Sequence, residues 1–170
     1  MEKKEEPGFR TLRGYRIFDQ NLGRLSPAVE DYLEMIFRQC AESGYTRVGR
    51  LSAELHVKPS STSKMIARLA RDGYLNYERY EMIRLTDKGK QLGESLLARH
   101  NTVAAFLTLI GSGSALEEVE IMEHPLSAAT VKNINILLGF FEGNPATRAA
   151  YDAYRKNAAA EQPRDALAEK

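Results

Sequence analysis

The order of periodic segments over residues 26–86 constrains the fold of this 170-residue chain more than any other feature. Apolar residues recur at helical spacing over residues 27–44, which predicts an amphipathic helix that ends at a glycine. Two further helices are predicted, a short one over 47–55 and a third over 59–71 that opens on a proline. Residues 74–85 change period and predict two short strands around a turn. This order predicts a winged helix-turn-helix, in which two linked helices are followed by a third helix with a polar outer face and then by a hairpin.

The remainder of the chain predicts helices alone. A long helix is expected over 87–110, a short one over 115–124 that Pro125 stops, and two more from Ser127 to about Ala160. Hydroxyl side chains stand at the expected N-cap positions of the short second helix and of three later helices. They are Thr46, Thr86, Ser114 and Ser127. The fold class is therefore mainly α with a small β-hairpin wing, a winged helix-turn-helix followed by a helical dimerisation domain. The expected parts are an N-terminal arm (1–25), a DNA-binding domain (26–86), a helical metal-binding and dimerisation domain (87–160) and a flexible tail (161–170).

Charge is distributed unevenly along the chain. The whole sequence has a net charge of +1, but residues 45–90 contain ten Lys and Arg against five Asp and Glu. That segment therefore has a net charge of +5, and the rest of the chain sums to −4. No apolar run approaches the length of a bilayer, the N-terminus has no apolar signal segment, and Cys40 is the only cysteine. These features predict a cytosolic protein with no membrane partner.

The outward face of the third predicted helix carries small hydroxyls and basic groups. Such side chains reach base edges and phosphates when a helix lies in the major groove. A merely solvated face would explain this helix alone equally well, but the complete unit and the local positive charge favour double-stranded DNA as the partner. The candidate DNA-binding residues, including two hairpin arginines, are Lys58, Ser60, Ser61, Ser63, Lys64, Arg68, Arg79 and Arg84.

Four carboxylates and two imidazoles fall on three predicted helices at i, i+3 and i+4 spacings. Each group alone has an ordinary explanation, a solvated acidic face or a histidine in the core or at a dimer face. Together they suit hard or borderline divalent ions, Mn²⁺ or Fe²⁺ in particular, and four carboxylates would balance two such ions. The candidate metal ligands are Asp31, Glu34, His100, Glu120, Glu123 and His124. Cys40 is read as a core thiol and His56 as structural or solvent-facing.

Five stretches together resemble the diphtheria toxin repressor family, and within it the manganese transport regulator branch. They are residues 26–34, 57–65, 85–89, 99–100 and 119–127. The resemblance implies a homodimeric, Mn²⁺-dependent repressor of metal-uptake genes, with two Mn²⁺ ions per subunit held by the six residues named above. The iron-responsive branch has methionine at the position of Asp31 and cysteine at that of Glu120, so two carboxylates here favour manganese.

Three alternatives remain at this stage. One is an iron-dependent repressor of the same family, with Fe²⁺ or another divalent ion as cofactor. Another is a metal-independent winged-helix regulator. The third is an enzyme, a helical di-metal carboxylate oxidase, but such sites need an acidic residue three positions before a histidine. Ala53, Leu97 and Ile121 occupy those positions, so the sequence predicts a protein that is not an enzyme.

Overall fold

The computed structural model describes residues 25–77, 82–112 and 115–161. Within them the chain forms seven helices and one two-stranded antiparallel hairpin, which confirms the predicted fold class. The elements are α1 (Pro27–Ser43), α2 (Val48–Glu54), α3 (Pro59–Arg71), β1 (Leu75–Asn76), β2 (Arg84–Leu85), α4 (Asp87–Ile110), α5 (Ala115–Glu123), α6 (Ala128–Gly143) and α7 (Pro145–Glu161). The chain divides into two compact units, the first ending at Leu96 and the second beginning at Leu97.

The first two long helices begin and end where local signals predict. Pro27 opens α1, and Gly44 closes it with a left-handed φ of 77° while its N–H donates to the carbonyl of Cys40 at 2.7 Å. Pro59 opens α3, and Gly73 follows it with φ of 81°. Only glycine adopts this backbone conformation without strain, so both helix ends are determined locally.

A single apolar core holds the first unit together. Its buried members come from α1, α2, α3, both strands and the start of α4: Val29, Tyr32, Leu33, Ile36, Leu51, Ile66, Leu69, Leu75, Ile83, Leu85 and Leu96. Each large apolar side chain buried in this way contributes roughly 1.5–3 kcal/mol relative to exposure. Met65 of α3 packs against this core and is half-buried.

The hairpin pairs Leu75 with Leu85 and Asn76 with Arg84. Thr46 joins it through an isolated antiparallel bridge to Ile83, with N–H to O distances of 2.9 Å in both directions. The expectation that Thr46 is the N-cap of α2 is therefore wrong. Arg47 occupies that position, and the buried Thr46 hydroxyl donates to the side-chain oxygen of Gln39 instead.

Helix α4 approaches the rest of the first unit closely at two glycines. A Cβ on Gly89 would lie 2.1 Å from the carbonyl oxygen of Tyr74, and one on Gly93 would lie 2.6 Å from the Cβ of Phe37. Thr86 caps this helix as predicted, accepting a hydrogen bond from the N–H of Gly89 at 3.1 Å. Its hydroxyl also donates to the carbonyl of Gly73 at 2.8 Å, which ties the helix start to the turn after α3.

The second unit has a smaller apolar cluster of its own, built on the buried residues Val103, Leu107 and Val119. Ser127 caps α6 as predicted and accepts from the N–H of Thr130 at 3.1 Å. Helix α6 nevertheless buries none of its residues, and its Ile136 and Phe140 are 62% and 51% exposed. A broad apolar helix face is thus open to solvent in the single chain.

Some predictions fall on residues that are not described. The N-terminal arm, the hairpin turn with Arg79, the N-cap at Ser114 and nearly all of the C-terminal tail lie outside the described residues. No described helix is both long enough and apolar enough to cross a membrane.

Candidate metal centre and DNA-reading face

The end of α5 gathers three of the six candidate metal ligands. Glu120, Glu123 and His124 share one side of the last turn because they stand at i, i+3 and i+4 spacings. Each offers one ligand atom, a carboxylate oxygen or an imidazole nitrogen, and these atoms lie within 4.8 Å of one another. The helix ends at Glu123, so His124 follows it directly and Pro125 comes next.

A fourth candidate, His100, reaches the same cluster from α4. Its Nδ1 lies 3.3 Å from Oε2 of Glu123 and 3.7 Å from Oε1 of Glu120. The other oxygen of Glu123, Oε1, lies 4.0 Å from Nε2 of His124. One carboxylate thus faces two imidazoles, one with each oxygen.

Burial distinguishes Glu123 and His100 from an ordinary polar surface, whereas the Glu120 side chain is 48% exposed. Glu123 is only 1% exposed, and His100 is also buried. Burying a carboxylate is costly unless charge or hydrogen bonds compensate it. Oxygen and imidazole donors at these distances fit a hard or borderline divalent cation, which would supply that compensation.

The remaining two candidates, Asp31 and Glu34, lie on α1 in the first unit. Asp31 is half-buried and Glu34 is 7% exposed. The alternative reading of this pair as a solvated helix face is therefore wrong for Glu34. Its Oε1 accepts two hydrogen bonds from Arg38, from Nη2 at 2.6 Å and from Nε at 3.0 Å.

Two arginines beside the candidate ligands were not predicted. Arg38 pairs with Glu34 as described, and Nη2 of Arg99 lies 3.5 Å from Nδ1 of His124. The i, i+4 spacing of Glu34 and Arg38 is a sequence signal that could have identified the first pair. The contact of Arg99 depends on how α4 packs against α5, so no local pattern predicts it.

The predicted DNA-reading face of α3 is exposed along its length. Ser60, Ser61, Ser63, Lys64 and Arg68 all face solvent, while Thr62, Ile66 and Leu69 are buried. Lys58 is the exposed N-cap residue of the helix, and Arg84 is exposed on β2. Three of these side chains have local partners among the described residues: the Ser63 hydroxyl donates to the carbonyl of Pro59 at 2.9 Å, Arg68 Nε lies 3.7 Å from Asp72, and Arg84 Nη2 lies 3.8 Å from Sδ of Met82.

The sequence predicts no functional role for Cys40 or His56, and the surroundings of both residues agree with that prediction. The half-buried Cys40 thiol contacts the carbonyl of Ile83 at 3.8 Å, and burial raises its pKa above the ordinary value of a cysteine, so the reactive thiolate is disfavoured at neutral pH. His56 is exposed at the end of α2, with a positive φ of 52°.

Two family profiles together cover most of the chain. Residues 24–83 match the N-terminal DNA-binding domain of the iron-dependent repressors, and residues 86–151 match their metal-binding and dimerisation domain. The HTH-type transcriptional regulator MntR of Listeria welshimeri serovar 6b is 42% identical over 122 residues, which are 71% of this chain and 86% of the relative.

Solved structures agree on the fold. The manganese regulator SloR superposes with a TM-score of 0.59 at 24% identity, covering 68% of this chain and 55% of that one. IdeR of T. acidophilum superposes with a TM-score of 0.55 at 25% identity, covering 65% of this chain and 53% of that one. The chain therefore spans about half the length of these solved chains.

A winged-helix reading unit followed by a metal-binding and dimerisation domain defines a metal-dependent, DNA-binding transcriptional repressor and not an enzyme. The chain belongs to the diphtheria toxin repressor family, in its manganese transport regulator branch. The predicted family, the DNA-binding function and the absence of an enzymatic role are confirmed, and neither the oxidase nor the iron-dependent alternative is favoured over this conclusion.

Proposed function

We propose that this protein is a Mn²⁺-activated, homodimeric, cytosolic repressor that binds operator DNA of metal-uptake genes. Two Mn²⁺ ions per subunit would be held by the six candidate ligands, Asp31, Glu34, His100, Glu120, Glu123 and His124. The two ions would supply positive charge that offsets four carboxylates and ties α1 to α4 and α5.

The observation that carries this proposal is the buried carboxylate of Glu123. It lies between two imidazoles, with Oε2 3.3 Å from Nδ1 of His100 and Oε1 4.0 Å from Nε2 of His124. Neutral imidazole and carboxylate are ligands for a borderline divalent ion. A carboxylate with one oxygen directed at each of two nitrogen donors is suited to two neighbouring ions.

The choice of Mn²⁺ over Fe²⁺ depends on Asp31 and Glu120. Both positions supply oxygen, whereas the iron-responsive branch, by the resemblance described above, has sulfur ligands there. Hard oxygen donors suit Mn²⁺ better than sulfur does. The 42% identity to an MntR transcriptional regulator supports the same choice.

In the proposed complex the exposed face of α3 lies in the major groove. Ser60, Ser61 and Ser63 would approach base edges and phosphates, while Lys58, Lys64 and Arg68 neutralise phosphate charge. Arg79 and Arg84 of the hairpin would follow the backbone. A twofold dimer reads two half-sites when its recognition helices are about 34–36 Å apart, one turn of DNA.

A metal-dependent gel shift on the DNA upstream of the gene that encodes this protein tests the proposal. Under anaerobic conditions we expect Mn²⁺ to activate DNA binding at lower free concentration than Fe²⁺. Glu34→Gln should keep the fold and the dimer but weaken metal-activated DNA binding, since it removes one anionic ligand. Glu42→Gln is the matched control, because Glu42 lies on the same helix and pairs at the surface with Arg50, which is not a candidate ligand.

Calorimetry distinguishes a switch from a structural metal site. Allosteric coupling is reciprocal, so operator DNA must raise Mn²⁺ affinity by the same factor by which Mn²⁺ raises DNA affinity. Equal Mn²⁺ affinities with and without operator would contradict the proposed switch, even if all six residues were ligands.

A further inference from the structure

The ion pair between Arg38 and Glu34 places a fixed positive charge on a candidate metal ligand. Both hydrogen bonds of the guanidinium, at 2.6 and 3.0 Å, end on the same oxygen, Oε1. Arg38 can therefore keep them while the carboxylate also binds an ion through its other oxygen.

The surroundings make this pair stronger than a typical surface pair. The Glu34 side chain is 10% exposed and that of Arg38 is 38% exposed. In α7 the pair between Arg148 and Asp152 has the same i, i+4 spacing, but its carboxylate is 33% exposed. Solvent and salt screen exposed pairs effectively and buried ones much less. The charge of Arg38 therefore acts on Glu34 with little screening from water on the carboxylate side.

A divalent cation bound at Glu34 would share that carboxylate with the guanidinium. Because the guanidinium already partly neutralises the carboxylate, the carboxylate has less negative charge to offer the ion. We propose that Arg38 is an affinity-setting residue of the metal centre, which lowers the affinity for divalent cations and so raises the metal concentration at which the repressor responds. The inference rests on the proposed function, since it requires Glu34 to be a ligand.

Removing the charge tests the inference directly. Arg38→Met keeps an unbranched side chain with good helix propensity, and we expect it to bind Mn²⁺ about tenfold more tightly than the parent. Arg38→Lys keeps the charge and should stay within about threefold of the parent. Arg148→Met, which breaks the matched pair in α7, should leave Mn²⁺ affinity unchanged. The measurement is competition of the full chain, without DNA, against a fluorescent metal chelator.

A double-mutant cycle tests whether the effect passes through Glu34. In the Glu34→Gln background, Arg38→Met should change Mn²⁺ affinity by less than about twofold, because the shared carboxylate charge is already absent. An undiminished tenfold gain in that background would overturn the inference. Helicity and thermal melting of each variant establish folding, and Arg38→Gln replaces Arg38→Met if the latter does not fold.

The outcomes separate this inference from the proposed function. If the parent does not bind Mn²⁺, or Glu34→Gln leaves its affinity unchanged, the proposed function of Glu34 fails and the inference fails with it. If Glu34→Gln weakens binding but Arg38→Met binds Mn²⁺ equally or more weakly, only the inference about Arg38 is overturned. In that last case Arg38 would be a residue that positions Glu34 for the metal.

Discussion

The two units of the chain use their apolar residues differently. The first buries side chains from three helices, the hairpin and the start of α4 in one core. The second buries Val103, Leu107 and Val119 in its cluster, while α6 leaves Ile136, Leu137 and Phe140 exposed. The first unit is thus complete within the single chain. The second leaves a large apolar face of α6 exposed, as expected of a region that matches a dimerisation domain.

The two units also differ in how exposed their charged candidate residues are. The reading face of α3 carries Lys64 and Arg68 in solvent, where they can meet phosphates without a desolvation cost. The candidate metal cluster instead buries His100 and Glu123, where charge is expensive unless it is compensated. The candidate DNA-binding residues of α3 are therefore exposed, whereas the candidate metal ligands Glu34, His100 and Glu123 are buried.

The largest effect should come from the core of the first unit. Leu33 is fully buried, so Leu33→Ala should reduce the free energy of unfolding by about 3 kcal/mol, through lost burial and a residual cavity. Urea unfolding followed by circular dichroism measures the loss. Val57→Ala removes an exposed apolar side chain of the same unit and should change stability by less than about 0.5 kcal/mol. Similar losses in the two variants would contradict a closed first-unit core.

The next effect tests the open face of the second unit. Phe140→Asp places a charge on the exposed face of α6, and we expect the dimer dissociation constant to rise at least about 30-fold, or about 2 kcal/mol. Sedimentation velocity over a range of protein concentrations measures the change, with helicity as the check on folding. The same substitution at Val57, in the first unit, should leave the dimer intact. A Phe140→Asp protein that dimerises like the parent would show that α6 is not the interface.

Much of the fold could be predicted because its signals are local. Proline at the start and glycine after the end fix α3 at 59–71, and Thr86 and Ser127 cap their helices. Thr46 shows the limit of such signals. Thr46 does not cap a helix, because its backbone pairs with that of Ile83, a residue distant in sequence. This pairing depends on tertiary packing, which the local sequence does not show.

The candidate site divides in the same way. The helical spacing of Glu120, Glu123 and His124 places them together without any tertiary information. The approach of His100 requires α4 to pack against α5, so the residues alone left a core histidine as an alternative and the family resemblance supplied its role. Arg38 could be paired with Glu34 from spacing, but its importance depends on the burial of that carboxylate, which only the structure reveals.

A smaller effect is expected at the DNA-reading face. Lys64→Ala removes one exposed charge, so it should weaken operator binding about tenfold at 0.1 M salt and reduce the salt slope by about one. Mn²⁺ stoichiometry should not change, because α3 carries no candidate ligand. Fluorescence anisotropy across a salt series measures both quantities. Lys156→Ala removes an exposed charge from α7 and serves as the control. Identical slopes in the two variants would exclude α3 from phosphate contact.

The smallest effect compares one helix cap from each unit. Ser127 accepts one hydrogen bond, from the N–H of Thr130, so Ser127→Ala should cost about 1 kcal/mol. Thr86 accepts from Gly89 and also donates to the carbonyl of Gly73, so Thr86→Ala removes a cap and a tertiary contact together. We expect Thr86→Ala to lower the free energy of unfolding by more than Ser127→Ala does, by about 1.5 kcal/mol. Hydrogen exchange at the amides of Gly89 and Thr130 locates each loss, and Thr86→Ser should recover most of the protection. A greater loss at Ser127 than at Thr86 would mean that the second unit depends on local capping more than the first, which would reverse the comparison for these two helices.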